Sequence, residues 1–126
     1  MFVISRSTSA RLPVTVQHYD SNGRLQQQQF AVDIKRLDQQ QWDALFERHQ
    51  LASGSHSVCA NLQANATLLA EVLTHWDEVT DDQGRPLPYS TATLTELLQG
   101  PDGPALSRGL FDAIFSLRYG TAAQKN

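Results

Sequence analysis

The sequence predicts an α+β fold: an N-terminal β-hairpin or small antiparallel sheet packed with about four amphipathic helices. Three observations predict it. The first third alternates apolar and polar residues around the turn sequence "DSNGR", the period of half-buried strands. From Trp42 onward, apolar residues recur at three- and four-residue spacing, the period of helices with one buried face. Clusters of Gly and Pro cut that second part into helix-sized pieces. The 126 residues suit one domain with a sizeable core. A hairpin region is expected over 1–36, a helical region over 37–119 and a flexible polar tail over 120–126.

In the hairpin, Val14 and Val16 alternate with Thr15 and Gln17, and Phe30, Val32 and Ile34 alternate with Gln29, Ala31 and Asp33. Register decides the loop length. A two-residue Asn22-Gly23 loop would pair Val16 with Gln29 and place the two apolar sets on opposite faces. A three-residue loop, Ser21-Asn22-Gly23, pairs Val14 with Phe30 and Leu12 with Val32, so that one face is apolar and Gly23 takes the left-handed position. Phe2 to Ile4 are expected to add another short strand.

Asp38 begins the first helix, with Gln41 completing a capping box and Leu37 stapling onto Trp42. Trp42, Leu45, Phe46 and His49 then follow at helical spacing. Gln50 to Asn61, rich in Gly and Ser, reads as a loop. A second helix is expected over Leu62–Trp76, capped by Asn61 or Asn65, with Leu69, Val72, Leu73 and Trp76 on one stripe. Gly84, Pro86 and Pro88 stop any helix. A connector therefore runs to Ser90, which caps a third helix with a staple between Tyr89 and Leu94 and with Leu97 and Leu98 inward. In that connector Val79, Leu87 and Tyr89 pack back over the core, while Asp77, Glu78, Asp81 and Asp82 stay in water. "GPDGP" at Gly100 to Pro104 breaks the chain again, with Pro104 in a first helical turn. The last helix carries Leu106, Leu110, Phe111, Ile114, Phe115 and Leu117.

Composition narrows the function. Hydrophobic residues make up 40% and charged residues 18%, with a net charge of −3. That charge disfavours sequence-independent nucleic-acid binding and docking on an anionic membrane. Cys59 is the lone cysteine, so no disulfide closes within the chain, and a reducing compartment is the simpler setting. Apolar runs are too short to span a bilayer, and the N-terminus lacks the apolar stretch of a signal peptide. A soluble cytoplasmic protein is expected.

Reactive constellations are sparse. His56 and Cys59 have HxxC spacing, with His49 and His75 on either side, but a zinc site needs three or four converging ligands. Asp77, Asp81 and Asp82 near Gly84 do not match a calcium loop. Ser53, Ser55 and Ser57 lie near His56 without a nucleophile elbow, and no glycine-rich loop is built to cradle phosphate. Neither metal, cofactor nor enzymatic activity is expected. The last two helices could be read as a helix-turn-helix, yet the final helix offers only Arg108 and Arg118 as cations. Most aromatics suit the core. Trp76 and Tyr89 flank the connector and are the ones expected to stay exposed as partner anchors.

The stretch "EVLTHWDEVTDDQGRPLPYSTATLTELLQGP" resembles the tail assembly chaperones of long-tailed bacteriophages and prophages. The resemblance lies in Trp76 at a helix end, Val79 in an acidic run, the turn Asp82 to Gly84 with Pro86 to Pro88, Tyr89-Ser90 opening a helix, and Leu97-Leu98 closing it. The closing helix and Lys125-Asn126 also fit, and the match covers about residues 65 to 126. Where the commoner form has glycine beside the tryptophan, this chain has His75 and Asp77. The resemblance implies a non-enzymatic protein that binds the tape measure protein, keeps it soluble and helps recruit the major tail protein before the tube polymerises. It would act in the cytoplasm of the bacterial host and be absent from the mature virion. Self-association is compatible with this role, and neither nucleic acid nor membrane is a partner. Trp76, Val79, Leu87 and Tyr89 are the expected partner-binding residues. The alternatives are a structural tail component, such as a tube or terminator protein, and a small DNA-binding regulator.

Overall fold

A computed structural model describes residues 1–50, the Gln50 side chain apart, and 57–122. Strands β1 (Ser9–Tyr19) and β2 (Leu25–Lys35) form the expected antiparallel hairpin, with Val14 opposite Phe30 and Leu12 opposite Val32. The loop is the three-residue one. The Asp20 N–H donates to the Arg24 carbonyl at 2.9 Å, and Gly23 has φ +76°. Val14, Val16, Val32 and Ile34 face inward and are buried. On the outer face Arg11 holds Asp33 at 2.9 Å and Asp77 at 2.5 Å.

The strand expected at Phe2 to Ile4 does not form, and those residues are exposed. The hairpin register explains this. Continued past Ser9, it would place residues 2–4 opposite 40–42, and those residues belong to a helix. Arg36 instead holds the chain end, its guanidinium donating to the Ser7 carbonyl at 3.0 Å and the Ser5 hydroxyl at 2.9 Å.

Helix α1 (Gln39–Gln50) starts on the expected capping box: the Gln41 N–H donates to Asp38 Oδ1 at 2.8 Å, and the Asp38 N–H donates to Gln41 Oε1 at 2.9 Å. Trp42 and Leu45 are buried. Helix α2 (Val58–Val72) begins earlier than expected, because Ser57 rather than Asn61 or Asn65 caps it, its Oγ accepting from the Ala60 N–H at 3.3 Å. The loop expected over Gln50 to Asn61 is thus shortened from its C-terminal side, and residues 51–56 lie outside the described residues.

The largest departure follows. The chain leaves the helix after Val72 and becomes strand β3 (Leu73–Asp77), the third member of a sheet ordered β1-β2-β3. Ile34 pairs with Leu73 and Asp33 with His75, so Thr74 is the extra residue of a β-bulge. The bulge lets Leu73 and Trp76, three residues apart, point to the same buried side. Three-residue spacing is also the signature of a helix face, which is why periodicity alone extends the helix through Trp76.

Helix α3 (Thr91–Leu98) is capped by Ser90 as expected, with the Thr93 N–H 3.0 Å from Ser90 Oγ. Helix α4 (Gly103–Tyr119) carries Pro104 in its first turn and lies along β1, where Gly109 abuts the Thr15 carbonyl. The core joins the inner sheet face to Trp42 and Leu45 of α1, Leu69 and Val72 of α2, Leu94 and Leu98 of α3, and Leu110 and Ile114 of α4. Among the described residues no helix is long and apolar enough to cross a membrane.

Candidate functional site

The side chains that expectation grouped as a partner site do meet, but not as an exposed patch. Trp76 is 3% exposed. Its ring stands edge-on to Tyr89, with centroids 5.0 Å apart, and to Phe30 at 6.2 Å. Its Nε1–H donates to the Leu87 carbonyl at 2.7 Å. Val79, Leu87 and Tyr89 are half-buried. Trp76 is therefore the floor beneath the other three, and its expected role as a protruding anchor is corrected. The cause is the conversion of the helix end to a strand: alternation turns Trp76 to the inner face of the sheet, where Phe30, Tyr89 and the Leu87 carbonyl cover it.

Beside this floor runs an open groove of about 550 Å³. Val16 and Phe30 of the hairpin, Trp76 and Val79, Leu97 of α3 and Leu106 of α4 supply its apolar lining. Its charged lining residues are Glu78 and Asp102, with His18 between the strands and α4. His18 Nε2 is 3.0 Å from Gln28 Oε1, and its Nδ1 is 3.9 Å from Asp102 Oδ2. Asp102 precedes α4 without making a side-chain cap. Glu78 has φ +68°, a left-handed conformation uncommon outside glycine, and has no hydrogen-bond or ion-pair partner among the described residues.

The groove wall is held by a second tight loop. The Leu87 N–H donates to the Val79 carbonyl and the Asp81 N–H to the Arg85 carbonyl, both at 2.9 Å, and Gly84 has φ +78°. "DDQGR" therefore folds as "DSNGR" does. In each loop the first Asp accepts two backbone N–H bonds through Oδ1, from Asn22 and Arg24 at 2.9 Å in one, and from Gln83 at 2.8 Å and Arg85 at 2.9 Å in the other. The turn-forming residue is Asp81, one position before the Asp82 start expected of this turn. The matching D-x-[N/Q]-G-R spacing was a sequence signal for this second hairpin, and reading the segment as a helix connector overlooks it. Asp77 is likewise not simply solvated, since it pairs with Arg11 and with His75 at 3.2 Å.

These bonds set an acid sensitivity. The Arg24 N–H holds the Asp20 carboxyl below its ordinary value, and the Arg85 N–H does the same for Asp81. A depressed folded pKa contributes stability that is complete above the unfolded value, near about 4, and is lost as pH falls through the folded value. Urea denaturation should therefore show falling stability from pH 5 toward pH 2. The pair Asp20→Asn and Asp81→Asn, which keeps the Oδ1 acceptors, should flatten that fall. An unchanged pH slope would mean the two carboxylates are not held in this way.

A second groove, of about 500 Å³, lies between α1, α2 and α4 and is lined by Phe46, His49, Leu68, Phe111 and Phe115 among others. Phe46 stacks on Phe115 with centroids 5.8 Å apart, and the Arg118 guanidinium lies 5.9 Å from the Phe46 ring. Sequence reading assigned these aromatics to the core, yet Phe115 is 42% exposed.

The described histidines and the cysteine are dispersed. His49 meets Glu71 of α2, which Arg48 also holds at 2.8 Å, and these contacts, the one to His49 foremost, keep the Glu71 carboxyl below its ordinary value. His75 pairs with Asp77 on the outer sheet face. The Cys59 thiol donates to Gln99 Oε1 at 2.9 Å, while Gln99 Nε2 donates to the Cys59 carbonyl at 3.0 Å, tying α2 to α3. His56 lies outside the described residues. Among the described residues no three His, Cys, Asp or Glu side chains are grouped to hold a metal ion. Comparison with family models, curated proteins and solved structures found no match to the chain.

Proposed function

We propose that this protein is a non-enzymatic binding module that takes an amphipathic helix of a partner, and that it serves as a phage tail assembly chaperone for the tape measure protein. The observation that carries the reading is the groove lined by Val16, Phe30, Trp76, Val79, Leu97 and Leu106. Apolar grooves between secondary-structure elements accept the apolar stripe of a helix. A long helical tape measure exposes such stripes until the tube forms around it. An open groove suits a binder that tail subunits must later displace, and the net charge of −3 favours solubility of a multiply coated complex. Recruitment of the major tail protein and action in the host cytoplasm belong to the same proposal. The regulator reading has less support: α4 buries Gly109, Leu110, Ala113 and Ile114, and the exposed Arg108 is flanked by the exposed Asp112 on the helix and Asp102 just before it.

Co-expression with the tape measure protein tests the proposal. The wild-type chain should keep it soluble and co-purify with it. Val79→Asn should weaken capture about tenfold, the loss of part of one buried Val contact, while its melting curve stays close to wild type. An insoluble tape measure in the presence of abundant wild-type protein would end the reading. Recovery of the protein in finished particles would replace it with a structural tail component.

A further inference from the structure

We infer that the helix taken by this groove is basic, with Lys or Arg flanking its apolar stripe. The inference rests on the binding role proposed above and adds the chemistry of the partner. Charge complementarity supports it. Among the described residues, the groove's apolar floor is bordered by two carboxylates and by no Lys or Arg. Neither carboxylate is committed to holding the fold in the usual way. Asp102 stands at the start of α4 yet makes no side-chain cap, and its near neighbour is the His18 ring at 3.9 Å. Glu78 is exposed and without a hydrogen-bond or ion-pair partner among the described residues. Its left-handed backbone is a conformation that costs free energy at a non-glycine residue.

The second groove supplies an internal contrast. Among the described residues no Asp, Glu, Lys or Arg lines it, and the charge beside it is the Arg118 guanidinium, 5.9 Å from the Phe46 ring, so nothing in its lining favours a basic helix over an acidic one. The Glu78–Asp102 groove does. Carboxylates spaced along an apolar channel fix the register of a cationic amphipathic helix and repel an anionic one. Because both side chains lie at the rim, the preference is expected to be modest for each and to weaken with salt.

Two synthetic helical peptides of about twenty residues test this. They share one leucine stripe at i, i+3, i+4 and i+7 spacing, and they carry flanking lysines in one case and glutamates in the other. Binding to the wild-type chain is followed by fluorescence anisotropy of a labelled peptide at low and high salt. The lysine peptide should bind about tenfold tighter at low salt, a sum of rim pairs each worth a few-fold. That preference should shrink at high salt, and it should vanish or invert in the double variant Glu78→Lys, Asp102→Lys. Circular dichroism checks that this variant stays folded. Single neutral variants, Glu78→Gln and Asp102→Asn, should each lose about threefold for the lysine peptide alone. Equal affinity for both peptides overturns the inference and leaves the binding role standing. A lysine preference untouched by either charge change places the site elsewhere and also overturns it. Failure of both peptides to bind at millimolar concentration overturns the inference and the binding role together.

Discussion

Trp76→Ala is expected to destabilise the protein by about 3–5 kcal/mol, the range for removing a buried aromatic from a core. For a domain whose total stability lies at about 5–15 kcal/mol, that loss threatens folding at physiological temperature. Three features concentrate the effect on this residue. Its ring is buried to 3% exposure, it braces Phe30 on β2 and Tyr89 before α3, and its Nε1–H satisfies the Leu87 carbonyl. Trp76→Phe separates these contributions. It keeps much of the ring packing and leaves the Leu87 carbonyl without its donor, which should cost about 1–2 kcal/mol. Chemical denaturation followed by circular dichroism measures both. If Trp76→Ala melts within a few degrees of wild type, the third strand and the groove floor are not built as described. The same result would return Trp76 to the surface as a partner anchor.

Gly103→Ala should cost about 3 kcal/mol, near the upper end of the usual range for overpacking. A Cβ built on Gly103 would lie 1.9 Å from the Leu98 carbonyl oxygen and 2.7 Å from its carbon. Those obstacles are backbone, and no rotamer change relieves them. The connection between α3 and α4 would have to open, although Gly100 and Gly103 N–H groups close it at 3.1 and 3.0 Å onto the Leu97 and Gly100 carbonyls. Opening it moves Leu97 and Leu106, both of which line the groove. The substitution should therefore reduce partner binding as well as stability. Thr91→Ala, at an exposed position on the same helix pair, is the control and should change stability by no more than about 0.5 kcal/mol. A Gly103→Ala protein as stable as that control would show that the helix junction is looser than the backbone distances imply.

Much of the fold was legible where one local rule had one solution. Hairpin register followed from keeping Leu12, Val14, Phe30 and Val32 on one face, and helix starts followed from Asp38–Gln41 and from Ser90. The candidate site was legible only in part. Trp76, Val79, Leu87 and Tyr89 were recognised as a group, and they do cluster. What periodicity could not reveal is which of them is floor and which is rim. Val16, Phe30, Leu97 and Leu106, which line the groove with Trp76 and Val79, come from four other elements, and nothing local links them to Val79.

Local patterning by itself determined the α+β class, the hairpin and its loop, and the helices that begin at caps, because alternation, capping and turn residues act within a few positions along the chain. Only the tertiary structure decided that Leu73 to Asp77 is a strand. That segment satisfies helical spacing as well as a bulged strand, and the tie is broken by the open edge of β2, whose backbone groups it pairs. Pairing with that edge carries Trp76 to the inside and the second D-x-[N/Q]-G-R loop to the groove wall. It sets Glu78 and Asp102, from distant parts of the chain, along one apolar channel, since long-range packing rather than neighbouring sequence settles which faces meet.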